Sequence, residues 1–337
     1  MAKHAVSIVI PTTGKRQELL LRAIRSTCVD DDSLFINVIV VVNGPDSDKF
    51  ILPDDICLLD NLTVEVIRTK RANVSHARNL GIANATGELL RFLDDDDFLI
   101  PNIAKKQYLE FIKYSADIST YAGDIQDETG ETFQTIYPDG TSSYVCAVLG
   151  PNCPALTFAS VYKTDLVRHL RWNEEWSTTE DEDWMRRISH MQNPRWIVSN
   201  DAVGVWYQHS RWRLSKPYPT NDYYINRALS IARTVATLKQ DNRLERGGGV
   251  EARAAARGLW SAVHGGFYFS PFYWKGFAEL ALQLDGASRP PDKIFHSLPF
   301  IHPLIIEWIF YPKRIVNHLA RLTRGWIAGF DSIRRIS

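Results

Sequence analysis

Apolar residues in the first third of the chain fall into short runs, separated by segments whose apolar positions recur at helical spacing. Ser7-Ile8-Val9-Ile10 is a compact apolar run stopped by Pro11, which predicts a buried strand ending in a loop. Leu20, Leu21, Ile24 and Cys28 repeat every three or four residues and predict a helix from Glu18 to Cys28. Ile36 to Val42 is a largely β-branched run, as expected of a parallel strand covered on both faces, and Asn43-Gly44-Pro45-Asp46 ends it in a turn. The pattern continues with a strand over Thr63 to Ile67, a helix over Ser75 to Ala83 and a strand over Glu88 to Leu93. A helix from Pro101 to Tyr114 follows, with proline in its first turn. This alternation predicts an α/β fold with a mostly parallel sheet flanked by helices. Ligands of such sheets bind beyond the carboxyl ends of the strands, so the loops after Ile10, Val42 and Leu93 should meet at one crevice.

Thr120 to Cys153 is rich in Tyr, Thr and Val with glycine-containing turns, and suggests extended strands. Past Trp206 the texture becomes helical. Tyr223 to Arg246 predicts a long helix, Gly247-Gly248-Gly249 a break, and Val250 to Leu284 further helix interrupted by the aromatic stretch 267–274. The expected division is a catalytic domain over 1–220 and a helical C-terminal region over 221–337.

Composition narrows the class. Hydrophobic residues are 45% and charged residues 23% of the 337, which excludes wholesale disorder. The formal net charge of 0 leaves no global basic field, so no nucleic-acid partner is expected. Cys28, Cys57, Cys146 and Cys153 form no C-x-x-C pair, which argues against a zinc knuckle or a disulfide scaffold and for a reducing, cytoplasmic setting. Met1 leads at once into a strand-like segment, leaving no room for a signal peptide, and no apolar stretch reaches the roughly 18–20 residues of a spanning helix. Charge is unevenly placed, however. Residues 313–337 hold six Lys/Arg against the single acid Asp331. Ile315, Leu319, Leu322, Trp326, Phe330 and Ile333 form one apolar stripe through that segment, which reads either as a helix docked on its own domain or as an interfacial helix peripheral on the inner membrane face.

The candidate chemistry is concentrated at Asp94-Asp95-Asp96-Asp97, bracketed by Phe92-Leu93 and Phe98-Leu99-Ile100. Acidic runs are mostly solvated surface, but four carboxylates at the end of a buried strand repel one another and call for a cation. Mg²⁺ or Mn²⁺, with diphosphate oxygens completing the shell, suits that donor set. A second cluster is Thr179-Glu180-Asp181-Glu182-Asp183, where Thr179 should cap a helix with Glu182 reaching back. Glu182–Arg186 and Asp183–Arg187 are i,i+4 pairs, which leaves Glu180 and Asp181 at the helix mouth.

Several of these segments together resemble the inverting glycosyltransferases of family 2. The matching residues are Val6-Ser7-Ile8-Val9-Ile10-Pro11-Thr12, Val38-Ile39-Val40-Val41-Val42-Asn43-Gly44, and Ala77-Arg78-Asn79-Leu80-Gly81-Ile82-Ala83-Asn84-Ala85-Thr86-Gly87-Glu88. These run into Phe92-Leu93-Asp94-Asp95-Asp96-Asp97 and Pro101. The resemblance covers about residues 5 to 215 and implies a GT-A fold acting on a nucleotide-diphospho-sugar, with a UDP-sugar favoured. It implies that Asp94-x-Asp96 is the D-x-D motif, with Asp96 and Asp94 on Mn²⁺ or Mg²⁺ and Asp94 and Asp95 toward the nucleotide. Pro11 and Thr12 then lie at the nucleobase and Arg78 near the nucleotide, while Asn79 reads equally as a structural helix residue. Val42 and Asn43 stand where the family usually has two acids, and Asn43 can offer its carbonyl to a base N–H. Asp181 matches the catalytic base, Glu180 the neighbour that holds the acceptor or orients the loop, and His209 a further metal or phosphate ligand. Arg211 or Arg213 could neutralise diphosphate oxygens. Trp172, Trp176 and Trp184 read as sugar-stacking platforms or as core. The implied acceptor is a hydroxyl of a glycan or lipid-linked molecule. Two other classes remain: a non-catalytic nucleotide-sugar-binding module, and a sugar nucleotidyltransferase, for which Pro11 to Arg16 is a poor glycine-rich loop.

Overall fold

The computed structural model describes residues 4–53, 59–140, 143–154, 156–191, 194–209, 219–244 and 249–316. The chain divides into two compact units, Met1–Lys216 and Pro217–Ser337.

The first unit contains, in order, β1 (His4–Thr12), α1 (Gln17–Ser26), β2 (Leu34–Asn43), β3 (Leu62–Thr69), α2 (Val74–Asn84), β4 (Leu89–Phe92), β5 (Phe98–Leu99) and α3 (Pro101–Lys113). It continues with β6 (Ile118–Gln126), β7 (Thr132–Ile136), α4 (Tyr144–Leu149), β8 (Ser160–Lys163), α5 (Thr164–Val167), α6 (Glu180–Ile188) and β9 (Trp196–Tyr207). Among the described residues the strands form one sheet in the order β3-β2-β1-β4-β8-β6-β9-β5, with β7 beside β6. β3, β2, β1 and β4 run parallel, β8 is antiparallel to both its neighbours, and β6 and β9 are parallel to each other.

Both faces of the central strands β1, β2 and β4 are covered, so these strands are buried along nearly their whole length. On β1, Val6, Ile8 and Ile10 join Leu20 and Ile24 of α1 and Tyr108 and Phe111 of α3 in one core. Val9 points the other way, with Ile39 and Val41 of β2, Ala77 and Ile82 of α2, and Trp172 and Trp184. The period-two alternation sorts the side chains between two cores. Gly87 marks a close approach of chain to chain. A Cβ there would lie 2.7 Å from the Ser7 nitrogen and 2.8 Å from the Ala5 oxygen, both backbone atoms of β1. Gly87→Ala is therefore expected to lose about 1–3 kcal/mol of stability, the usual cost of forcing atoms into a packed interior. Thermal unfolding of the purified variant measures it.

Two local expectations are corrected. Pro11 does not stop β1 but lies within it, opposite Val41 of β2. Val9 is the last β1 residue paired with β4, so at Pro11 that side of the strand needs no ladder donor. The segment after β7 does not stay extended; it closes into α4, whose N-cap Ser143 accepts the Cys146 N–H. All six α4 residues are buried, so the helix carries no polar face and leaves no 3.6-residue pattern.

The second unit contains α7 (Asn221–Gln240), α8 (Val250–Gly266), α9 (Lys275–Leu284), α10 (Lys293–Ser297) and a helix, α11, over 303–316. Thr220 caps α7 by accepting the Tyr223 N–H, and α7 ends at Gln240, short of the expected Arg246. Residues 245–248 lie outside the described residues, as does the tail stripe beyond 316. Among the described residues no helix is long and apolar enough to cross a membrane.

Candidate active site

The loops after β1, β2 and β4 meet, as parallel topology requires. Thr12, at the end of β1, is buried, and its hydroxyl donates to Asp95 Oδ2 at 2.5 Å. Its carbonyl accepts the side-chain amide of Asn43, at the end of β2, at 2.9 Å. Pro11 is buried just behind them.

Every carboxylate of the acidic run has a protein partner. Asp94 takes Arg78 Nη2 at 2.8 Å and the Thr157 hydroxyl at 3.4 Å. Asp95 is buried and pairs with the Arg16 guanidinium. Burial pushes its carboxyl up to about 6, against the pull of Arg16 and the Thr12 hydroxyl. Asp96 Oδ2 accepts from Arg16 Nη1 at 2.5 Å and lies 3.1 Å from His209 Nε2. Asp97 accepts the Tyr207 N–H at 3.0 Å, which fastens the end of β9, and with it His209, to the run. Arg22 on α1 donates to the Asp96 carbonyl at 2.7 Å while its guanidinium lies over the rings of Phe98 and Tyr207, 4.4 and 3.9 Å from their centroids.

Arg16 was not among the expected site residues. It stands at the N-cap of α1, 80 positions from Asp96, and bridges two adjacent carboxylates. The one available signal was that Lys15-Arg16 follows β1 closely enough to enter the same crevice as the acids.

The second cluster faces the first through Arg78. This buried side chain donates to Asp94 at 2.8 Å and lies 3.2 Å from Glu180 Oε1 in the first turn of α6. Burial disfavours its charge, and Asp94 and Glu180 outweigh burial and hold it protonated. Its guanidinium also lies 4.3 Å from the centroid of the Trp172 ring. Arg78→Met is expected to cost about 3–5 kcal/mol by leaving two carboxylates with no buried counter-ion. A chemical-denaturation midpoint close to that of the parent chain would contradict the bridge.

Asp181 is half-buried, and its Oδ1 accepts the Glu182 N–H at 2.7 Å. Burial and the neighbouring charges of Glu180 and Glu182 push its carboxyl up to about 8. The pairs Glu182–Arg186 and Asp183–Arg187 form at 2.6 and 2.9 Å. Thr179 holds the expected N-cap position of α6, but its side chain makes no cap bond. Its φ of 61° puts it in the left-handed region, and its hydroxyl donates to the Thr178 carbonyl instead.

Asn79 is structural: its amide nitrogen donates to the Trp172 carbonyl and Glu174 Oε1, and its oxygen accepts the Trp172 N–H. Trp172 and Trp184 stack at 4.9 Å and are buried in the core, so neither offers a face to a sugar. Trp176 remains half-buried. Arg211 and Arg213 lie outside the described residues.

Asp96 and His209 fit a divalent cation as a two-residue donor set. One cationic atom, Arg16 Nη1, already lies 2.5 Å from Asp96 Oδ2 and 3.3 Å from His209 Nε2. His209 Nδ1 is buried with no hydrogen-bond partner among the described residues. Asp94 faces Arg78 rather than this pair. Among the described residues no group of three or more His, Cys, Asp or Glu is placed to hold a metal, so phosphate oxygens would have to complete the shell.

Residues 7–170 match the family model described as Glycosyl transferase family 2. The fold is similar to that of S. aureus TarS 1–349 in complex with UDP-GlcNAc, with a TM-score of 0.62 and 16% identity over 88% of this chain and 85% of that one. TarS 1–349 in complex with UDP is similar at a TM-score of 0.55 and 16% identity, over 83% of this chain and 81% of that one. No curated protein matches the sequence. The likeness shows the expected GT-A architecture followed by a helical C-terminal region.

Proposed function

We propose, from the premise that residues 7–170 form a family 2 glycosyltransferase domain and that the chain is a glycosyltransferase, that it moves a sugar from a nucleotide-diphospho-sugar to a hydroxyl of a glycan or lipid-linked acceptor, with inversion at the anomeric carbon. The observation that carries this reading is the Arg78 bridge. It holds Asp94, at the mouth of the acidic loop, against Glu180, beside the candidate base.

Inverting transfer needs one carboxylate to take the proton of the acceptor hydroxyl as that oxygen attacks the face opposite the leaving diphosphate. Asp181 is that base. Its carboxyl, raised to about 8, is a far stronger proton acceptor than an ordinary aspartate. Glu180 stays with Arg78 and orients the turn. On the donor side, Thr12, Asn43, Asp94 and Asp95 line the ends of β1, β2 and β4 where the nucleotide would lie. The Asn43 nitrogen is committed to the Thr12 carbonyl, which leaves its oxygen to accept a base N–H. A UDP-sugar is the favoured donor, in keeping with the UDP-GlcNAc and UDP bound by TarS.

Asp96 and His209 are the residues that would hold Mn²⁺ or Mg²⁺, which when bound supplies positive charge to the departing diphosphate. Arg16 brings a fixed positive charge to the same place and keeps Asp95 and Asp96 neutralised in the donor-free protein.

A panel of nucleotide sugars, each incubated with the protein with and without Mn²⁺, tests the reading. Metal-stimulated release of UDP from a UDP-sugar is the expected result. Donor binding with no release from any member of the panel would make the chain a binding module instead.

A further inference from the structure

α11 buries Pro303 and Ile306 yet also turns a run of apolar side chains outward. Its outward positions Ile305, Trp308, Ile309 and Val316 are 54%, 41%, 62% and 63% exposed, and Pro312 between them is exposed too. Their spacing of three, one, three and four, that is i, i+3, i+4, i+7 and i+11, places all five on one face of the helix. Its acid points inward instead. Glu307 is fully buried, 2.7 Å from His264 of α8 and 2.6 Å from Arg314 of α11 itself. His264 Nε2 reaches Asp292, ahead of α10, at 3.2 Å. An ordinary surface helix hides its apolar stripe and shows its charges. Here an internal ion cluster pins the helix so that the stripe faces out.

The apolar surface continues beyond α11. Phe272 is 86% exposed with its ring 5.1 Å from Trp308, and Phe300 is 99% exposed just before the helix. Patches of this kind on a folded protein mark an interaction surface. Charge says what covers it. Between Lys293 and Val316 the sole acid is the buried Glu307, so the exposed Lys293, His296, His302 and Lys313 of this stretch have no exposed acid among them; Asp292, just ahead, is exposed and turned to His264. The sequence that follows adds Arg321, Arg324, Arg334 and Arg335 against Asp331. Two copies of such a surface would repel each other. Over the described residues α11 runs for 14 residues, about 21 Å, and no described helix is long and apolar enough to cross a hydrocarbon core of about 30 Å.

We propose that the face formed by Phe272, Phe300, Ile305, Trp308, Ile309 and Val316 docks on an anionic lipid surface, lying in the interface with its aromatic and aliphatic side chains among the headgroups. This gives the proposed reading a membrane partner. It rests on that reading only in making a lipid-linked acceptor accessible, and the surface itself stands on residues far in sequence from the candidate active site.

Co-sedimentation of the full chain with vesicles tests it, alongside UDP release from the donor in the same samples. The chain is expected to bind phosphatidylglycerol vesicles and to bind phosphatidylcholine vesicles at least about tenfold more weakly, with binding falling as salt screens the basic residues. Phe300→Ser with Ile309→Ser alters exposed side chains only. It should weaken phosphatidylglycerol binding about tenfold or more while UDP release is unchanged. A double variant that binds as the parent does would overturn the docking face, as would a parent that ignores anionic vesicles. Loss of a dimer in the variant, read by light scattering, would assign the face to a second copy and overturn the lipid proposal. Vesicle binding without UDP release from any donor would leave the face standing and remove the transferase reading.

Discussion

Replacing Asp181 with asparagine is expected to lower turnover by about 10²–10⁴, the range for losing a general base, while donor affinity stays within a few-fold. Asparagine keeps an oxygen for the Glu182 N–H that Asp181 now accepts, so the first turn of α6 should survive. What it loses is the site for the acceptor's proton. The pH dependence should change with it. The Asp181 carboxyl is raised from 3.8 to about 8 in the folded protein, and the base works deprotonated. Parent kcat/KM should therefore climb with pH toward about 8, and the variant should lack that limb. Stability moves the other way. A raised pKa means that the native state holds a proton the unfolded chain has released, so this contribution is full below the unfolded value and lost as pH rises through about 8. At pH 8 and above, Asp181→Asn should accordingly unfold at a higher temperature than the parent. A variant with normal turnover would move the base to Glu180 or Asp183.

The second large effect belongs to Asp96. Asp96→Ala, or a chelator added to the parent, is expected to lower transfer by at least about 10², since charge on the leaving diphosphate is then poorly met. The variant should remain folded, because Arg16 keeps Asp95 and Arg78 keeps Asp94. The paired experiment separates the two cations at this site. If a divalent ion is required, chelation and Asp96→Ala act alike, and Arg16→Ala has the smaller effect. Full activity in chelator would instead leave the diphosphate to Arg16 and remove the metal from the account.

The sequence was most informative where local pattern and burial agree. β1, β2, β4, α2 and α3 fall within a few residues of their expected positions because buried parallel strands are written as β-branched runs, and Pro101 marks the start of α3. α4 was missed because a short, fully buried helix has no polar face to set a period. Within the site, chain order showed the acids but not what neutralises them. The run at 94–97 asked for a cation, and sequence reasoning supplied a metal alone. The fold also brings Arg16 across 80 positions and draws Arg78, 16 positions away from Asp94, into a bridge to Glu180. Pairs of that separation leave no periodic trace. Aromatic residues stayed ambiguous for a related reason: Trp172 and Trp184 look the same in sequence whether they stack on a sugar or, as the core alternative has it, on each other.

The measurement that bears most directly on the central claim is the configuration of the sugar released from the donor. With a UDP-α-linked sugar and Mn²⁺, proton NMR of the first hydrolysis product, recorded before mutarotation, reads the anomeric outcome of a single turnover. Attack by one base-activated oxygen from the face opposite the diphosphate, with Asp181 as that base, predicts that the β anomer appears first. An α anomer appearing first would show retention and contradict single-displacement transfer at this site.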